Sequence, residues 1–417
     1  MNLETAKKLI RDYCYKNYKD MTRQPSGIIK YPFIVPGSQS YQSCLWDWDS
    51  WLTDIAIRQI IEDTGEGEEF IEYEKGCILN FLDHADKDGG IPIVVLPTNI
   101  VPAHHAIYKT NMHKPCLLQH LAFVMKCNND DTSWFADKYD KLEKFIGVFL
   151  KNYYHEESGL FFWLDDLAIG VDNDPATFYR PEKSSGSIYF NCLMYKELLA
   201  MSYVAEKMGK MDRADFYKAE AEKLAAAIKE YAWDERDGSF YSVDLNLLPV
   251  NPESSLHKGA PRNWPCLIQR IDVWSNFLPL WAGLATKEQA EEMVKNHFAN
   301  EKTFNAPYGV RTLGKQEKMY QIVKSGNPSC WLGPIWGISN YLVFSGLVKY
   351  GFDKEATLLA EKTIMLFGED IEKCGELHEY YHPETGEGVN NPGFQNWNFL
   401  SLNMMAYLEG KKRIIEF

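Results

Sequence analysis

Two acidic residues sit in settings suited to proton transfer. Asp172 lies in Gly170-Val171-Asp172-Asn173-Asp174-Pro175, and Glu379 in His378-Glu379-Tyr380-Tyr381-His382-Pro383-Glu384-Thr385-Gly386. Hydrolysis of a glycosidic bond needs such a pair: one carboxylic acid protonates the leaving oxygen and one carboxylate activates water. Partial burial in its loop would raise the pKa of Asp172 toward an acid's needs, although an Asp beside Asn173 and Asp174 also suits a plain turn. Around Glu379 the residues spell His-Glu-x-x-His, the zinc-peptidase signature, whose two imidazoles must share one helical face. Pro383 pushes His382 away from helical dihedrals, and Pro-Glu-Thr-Gly then makes a turn. The zinc reading therefore lacks its helix and a third ligand. An ordinary turn with satisfied polar groups remains the alternative.

Other residues suit the binding of a sugar, whose apolar faces stack on aromatic rings while its hydroxyls seek polar groups. Trp46-Asp47-Trp48-Asp49-Ser50 sets two acids between large rings; Asp49 is a candidate ligand for sugar hydroxyls and equally an N-cap for the helix it opens. The further candidates are Tyr41, His113, Lys114, Arg180, Trp264, Trp331, Gly333, Trp336, Tyr380, Gln395 and Trp397. His104, His105 and His113 lack the paired carboxylates or cysteines of a metal site, and no cofactor motif is present. The expected ligand set is thus a small carbohydrate with no metal.

The elements that must position these residues read as helices. Leu142, Phe145, Ile146 and Phe149, like Ala221, Leu224, Ala225 and Ile228, repeat at i, i+3, i+4 and i+7 on otherwise charged segments. Trp331–Val348 and Ile188–Val204 are apolar nearly all round, as inner helices are. The pattern predicts helices over 3–20, 48–64, 66–84, 114–127, 132–152, 185–208, 210–230, 274–284, 286–298, 330–351, 353–368 and 394–410, alternating between outer and inner character. Turn signals such as Asp88-Gly89-Gly90 and Asp237-Gly238-Ser239 open a long loop after most outer helices. This predicts an all-α (α/α)6 barrel spanning 1–417 as one domain, with the long loops at one end, in preference to an open solenoid. The segments around Trp46, His113, Asp172, Arg262-Asn263-Trp264, Trp331 and Gln395 would then share one funnel.

Bulk properties narrow the class. With 44 Lys and Arg against 58 Asp and Glu, the net charge of −14 disfavours nucleic acid and anionic membranes as partners. The N-terminal residues enter an amphipathic helix without a signal-peptide core, and the longest apolar stretch is too short to span a bilayer. Nine cysteines without a Cys-x-x-Cys pair suggest reduced thiols in the cytoplasm.

Taken together, the loops resemble glycoside hydrolase family 63 and the related trehalases of family 37. Trp48-Asp49-Ser50-Trp51 resembles that group's aromatic-Trp-Asp-Ser segment, and Gly170-Val171-Asp172-Asn173-Asp174-Pro175 its acid motif. Cys330-Trp331-Leu332-Gly333-Pro334-Ile335-Trp336 is similar to Tyr-Trp-Arg-Gly-Pro-Ile-Trp. Glu379-Tyr380-Tyr381-His382-Pro383-Glu384-Thr385-Gly386 followed by Phe394-Gln395-Asn396-Trp397 is similar to the base region. The resemblance implies an (α/α)6 barrel, inversion at the anomeric carbon, Asp172 as acid, Glu379 as base, Asp49 as a substrate ligand, and carboxyl groups roughly 6.5–9.5 Å apart. Compact members of this kind include mannosylglycerate and glucosylglycerate hydrolases. Leu332 and Cys330 depart from the family's Arg and Tyr, so Arg180, Lys114 or Arg311 would have to meet an anionic aglycone. The alternatives are a sugar epimerase or isomerase on the same barrel and a non-catalytic sugar-binding relative.

Overall fold

The computed structural model describes residues 1–100, 112–166, 169–248, 262–322 and 328–417. Among the described residues, twelve α-helices alternate between two concentric layers. The inner helices are α2 (Asp47–Thr64), α4 (Leu117–Cys127), α6 (Ile188–Lys207), α8 (Leu278–Ala282), α10 (Gly337–Lys349) and α12 (Ser401–Leu408). Each touches the next, and α12 with the 3₁₀ turn before it returns to α2, which closes the ring. The outer helices are α1 (Leu3–Asn17), α3 (Ile71–Asp83), α5 (Tyr139–Asn152), α7 (Met211–Tyr231), α9 (Lys287–Met293) and α11 (Asp353–Cys374). This is the (α/α)6 barrel.

Sequence explains the layering. In α4 and α10 apolar residues run around the whole circumference, and nine consecutive residues of α4, Leu117–Met125, are buried. In α5 only Tyr139, Leu142, Phe145, Ile146, Val148 and Phe149 are buried, a single stripe, while Lys144 and Lys151 face solvent. None of the helices among the described residues is long and apolar enough to cross a membrane.

Several boundaries differ from expectation, each for a local reason. Residues 330–336 are not helical: Ile335–Trp336 pairs antiparallel with Tyr380–Tyr381, and α10 begins only at Gly337. The segment from 394 starts as a 3₁₀ turn, Asn396–Leu400, before α12. Inner helix α8 is short, preceded by a 3₁₀ turn, Trp274–Phe277, and ended by Gly283 in the left-handed region. Outer helix α11 runs past 368 to Cys374 because Gly368 packs against Ala6 of α1 instead of breaking the helix.

Candidate active site

One end of the ring holds a cavity of about 260 Å³, lined among the described residues by several distant parts of the chain that include Tyr41, Trp46, Trp48, Asp49, Lys114, Asp172, Trp331, Trp336, Glu379 and Trp397. Short pairings fix the mouth. Leu45–Trp46 pairs with Val94–Val95, and the Asp47 N–H donates to the Ile93 carbonyl (3.1 Å), which seats the first turn of α2 in the wall. Asp49 projects from that turn, and the Asn396 side-chain amide donates to its carboxylate. Burial, reinforced by Asp47, pushes the Asp49 carboxyl well above the usual range.

The loop bearing Asp172 is pressed onto this wall. Gly170 has φ +74°, and a Cβ there would meet Lys114 Cε at 2.6 Å and Trp48 Cζ2 at 2.9 Å, so glycine is needed for the approach. Asn173 Oδ1 accepts from the Trp331 N–H (2.8 Å), which ties the loop to the next wall. Asp174 is the turn residue. Its Oδ1 accepts from the Ala176 N–H (3.2 Å), and burial raises its carboxyl to about 6. Asp172 itself is half-buried and lines the cavity.

Glu379 enters from the opposite strand and is 5% exposed. Tyr41 Oη–H donates to its Oε1 (3.1 Å), while Asn390 Nδ2 (2.9 Å) and Asn391 Nδ2 (2.5 Å) donate to Oε2. Burial raises the Glu379 pKa and the charge of Asp172 adds to the rise; the three donors oppose it. The cavity carboxylates also act on the Tyr41 hydroxyl, whose pKa burial raises first and Glu379, Asp49 and, least, Asp172 raise further. An aromatic stack forms the floor: Trp331 lies on Trp336 (centroids 3.9 Å, 11° between planes), which lies on Tyr380 (4.9 Å). Trp48 meets Trp397 edge to face at 5.3 Å. The indole N–H groups of Trp46 and Trp397 are buried without a protein partner among the described residues.

The remaining expected site residues lie elsewhere. His113 is a core residue: its Nδ1 bonds the Lys114 carbonyl (2.7 Å), its ring meets Phe81 at 4.6 Å, and burial lowers its pKa to about 4. Tyr380 is fully buried beneath Trp336, with its hydroxyl donating to the Pro328 carbonyl (2.6 Å). Gly333, at φ +134°, packs on the Tyr320 ring and donates its N–H to Thr312 (3.1 Å). Gln395 faces a separate surface depression beside Ser38 and Gly393. Trp264 is half exposed under Arg262, away from the cavity lining. The three cations considered for an anionic aglycone are each engaged: Arg180 with Asp244 (2.5 Å), Arg311 with Glu384 (2.6 Å), and Lys114 with Asp47 (2.8 Å). Of the three, only Lys114 lines the cavity. His104 and His105 lie outside the described residues. His378 and His382 do not share a helical face: His378 Nδ1 bonds Asp370 (2.9 Å), and His382 Nδ1 accepts from the N–H groups of Glu384 and Thr385 (3.2 Å each).

Sequence reasoning missed the groups that hold the carboxylates, chiefly Asn390, Asn391 and Asn396, along with the Lys114 partner Asp47. Asn390-Asn391, eleven and twelve positions after Glu379 across a Gly-containing turn, was the available signal of a hairpin returning to it.

A family model for the mannosylglycerate hydrolase MGH1-like glycoside hydrolase domain matches residues 42–397, which includes every cavity-lining carboxylate. Curated relatives include a mannosylglycerate hydrolase of Rubrobacter radiotolerans, 25% identical over 54% of this chain and 44% of that one. A cytosolic neutral trehalase of Kluyveromyces lactis is 25% identical over 56% of this chain and 30% of its own. The chain thus spans less than half the length of each of these two. Among solved structures, a GH63 mannosylglycerate hydrolase of Thermus thermophilus in complex with glucose superposes with a TM-score of 0.66 over 93% of this chain and 98% of that one, at 17% identity, a likeness of fold.

Proposed function

The chain belongs to the mannosylglycerate hydrolase MGH1-like glycoside hydrolase family, and on that premise we propose that it is an inverting α-glycosidase acting on a small α-linked glucoside, mannoside, disaccharide or glycosylglycerate. One observation carries this reading: Asp172 and Glu379, more than two hundred positions apart in sequence, line one cavity walled by indole rings. Asp172 protonates the glycosidic oxygen as positive charge develops on the ring. Glu379, kept ionisable by three donors against its burial, takes a proton from water attacking the far face. Both oxygens of Glu379 are restrained, but Oε2 carries two amide donors and Oε1 a single hydroxyl, so Oε1 is the atom with a lone pair left for water. Asp49 meets the sugar's hydroxyls, and the rings that line the cavity, Trp46, Trp331, Trp336 and Trp397 among them, offer surfaces for its apolar face.

We further propose that residues 1–417 act as one catalytic domain in the cytoplasm, a placement supported by nine free cysteines and by a relative named as cytosolic. The epimerase alternative gains no support from the cavity, since none of its lining residues among those described is a histidine. A panel of α-linked disaccharides, glucosylglycerate and mannosylglycerate, read by release of free glucose or mannose, tests the reading. Release of the sugar from at least one member is expected; conversion of a free sugar to its epimer, or binding to the panel without release, would contradict it.

A further inference from the structure

The segment carrying Glu379 is gripped from behind by an outer helix. Asp370, buried on the penultimate turn of α11, accepts the His378 main-chain N–H (3.1 Å), the His378 Nδ1–H (2.9 Å to Oδ2, 3.1 Å to Oδ1) and the Tyr381 hydroxyl (2.9 Å). These donors come from both sides of Glu379. The grip continues into the returning arm. Gly388 lies against the His378 ring, so closely that a Cβ there would stand 2.2 Å from Nδ1, while the Glu379 N–H donates to the Asn390 carbonyl and the Val389 N–H to the Tyr380 carbonyl (2.9 Å each). That arm ends in Asn390 and Asn391, the two amides on the Glu379 carboxylate. Asn398 closes the back by donating to the His378 carbonyl (2.7 Å).

We propose that Asp370 is a positioning residue for Glu379, holding through His378 and Tyr381 both the base and the amide pair that sets its basicity; this rests on the reading of Glu379 as general base. Misplacement of a catalytic group by roughly 1 Å lowers turnover by about 10²-fold, so a clamp one layer removed from the cavity acts on rate without touching substrate. Cys374 Sγ also lies close enough for Asp370, Cys374 and His378 to surround a metal ion. The hydrogen bonds favour the clamp, because His378 Nδ1 is taken up by Asp370, whose Oδ2 already serves three donors.

The test is steady-state kinetics of the full chain on a 4-nitrophenyl α-glycoside or the active panel member, across pH, for Asp370→Ala and Asp370→Asn, each alone and with Glu379→Gln. For Asp370→Ala the account expects kcat down by about 10- to 100-fold, KM within about twofold, and the acid limb of kcat/KM moved to higher pH as Glu379 loses its donors. Asp370→Asn, whose carbonyl still accepts from His378, should restore most of the rate. In the Glu379→Gln background, Asp370→Ala should add nothing. If Asp370→Ala does not fold, Tyr381→Phe carries the test with a smaller acid-limb shift of the same sign. An unchanged rate and pH profile, an equal loss in both backgrounds, or a sensitivity to chelator that Cys374→Ser removes would each overturn the proposal. A fully active Glu379→Gln enzyme would instead sink the base assignment on which it stands.

Discussion

The two carboxylate-bearing segments of the cavity are built on opposite principles. Glu379 sits at the start of a hairpin, nearly sealed from solvent, with both oxygens hydrogen-bonded and the strand pinned to α11. Asp172 sits in a bend, half-buried, and the loop around it is anchored through its neighbours, Gly170 against Trp48 and Asn173 to Trp331, with no donor among the described residues reaching the Asp172 carboxylate itself. Burial raises the Glu379 carboxyl above its ordinary value, and the three donors offset part of that rise, as a buried base requires. We propose that this difference in surroundings goes with the two roles, base for Glu379 and acid for Asp172.

That asymmetry can be broken most sharply by removing each group. Asp172→Asn and Glu379→Gln should each keep the fold and lower kcat about 10²–10⁴-fold. A substrate with a good leaving group, such as a glycosyl fluoride, needs little protonation, so it should recover much of the Asp172→Asn rate and little of the Glu379→Gln rate. The reverse pattern would exchange the roles.

Next in size is the sugar contact. Asp49→Asn should raise KM roughly tenfold, equivalent to about 1.4 kcal/mol of binding, with a smaller change in kcat; a pure kcat effect would place Asp49 in the chemistry instead. Tyr41→Phe sharpens the picture of the base. Loss of the donor on Oε1 leaves burial less opposed, so the Glu379 pKa rises and the acid limb of kcat/KM moves up by about one pH unit. An acid limb moving down, or not at all, would show that the limb does not report Glu379.

The smallest effect separates a core histidine from a site histidine. His113 is held neutral by burial, with its pKa lowered to about 4, so below its ordinary value of 6.5 the unfolded chain takes up a proton that the folded one refuses. Its contribution is fully present above pH 6.5 and is lost as pH falls toward 4. Denaturant unfolding at several pH values should show His113→Gln losing less stability than the parent across that window, with kcat at neutral pH nearly unchanged.

The sequence made the barrel legible because inner and outer helices differ in kind: α10 is apolar on all sides while α5 carries one stripe, and burial acts on that difference directly. It also made the wall residues legible where large rings cluster, beside acids at Trp46–Asp49 and around a Gly-Pro pair at Trp331–Trp336. It failed where a side chain's direction depended on a distant partner. Tyr380 neighbours Glu379 in the chain, yet its ring is drawn beneath Trp336 by stacking across the short strand pair. His113 neighbours Lys114, yet it turns into the aromatic core. Residues one apart can thus face opposite ways, and pairing sets which one meets the cavity. The supporting amides were illegible for a related reason, since nothing local marks Asn391 or Asn396 as the partner of a particular carboxylate.

The account stands most directly on the stereochemistry of the first product. Proton NMR recorded within the first minutes of hydrolysis of an α-glycoside should show the free sugar appearing as its β-anomer and then mutarotating, as required if water held by Glu379 attacks the face opposite the oxygen protonated by Asp172. Appearance of the α-anomer first would mean retention, and the assignment of these two carboxylates as an acid and a water-activating base would be wrong.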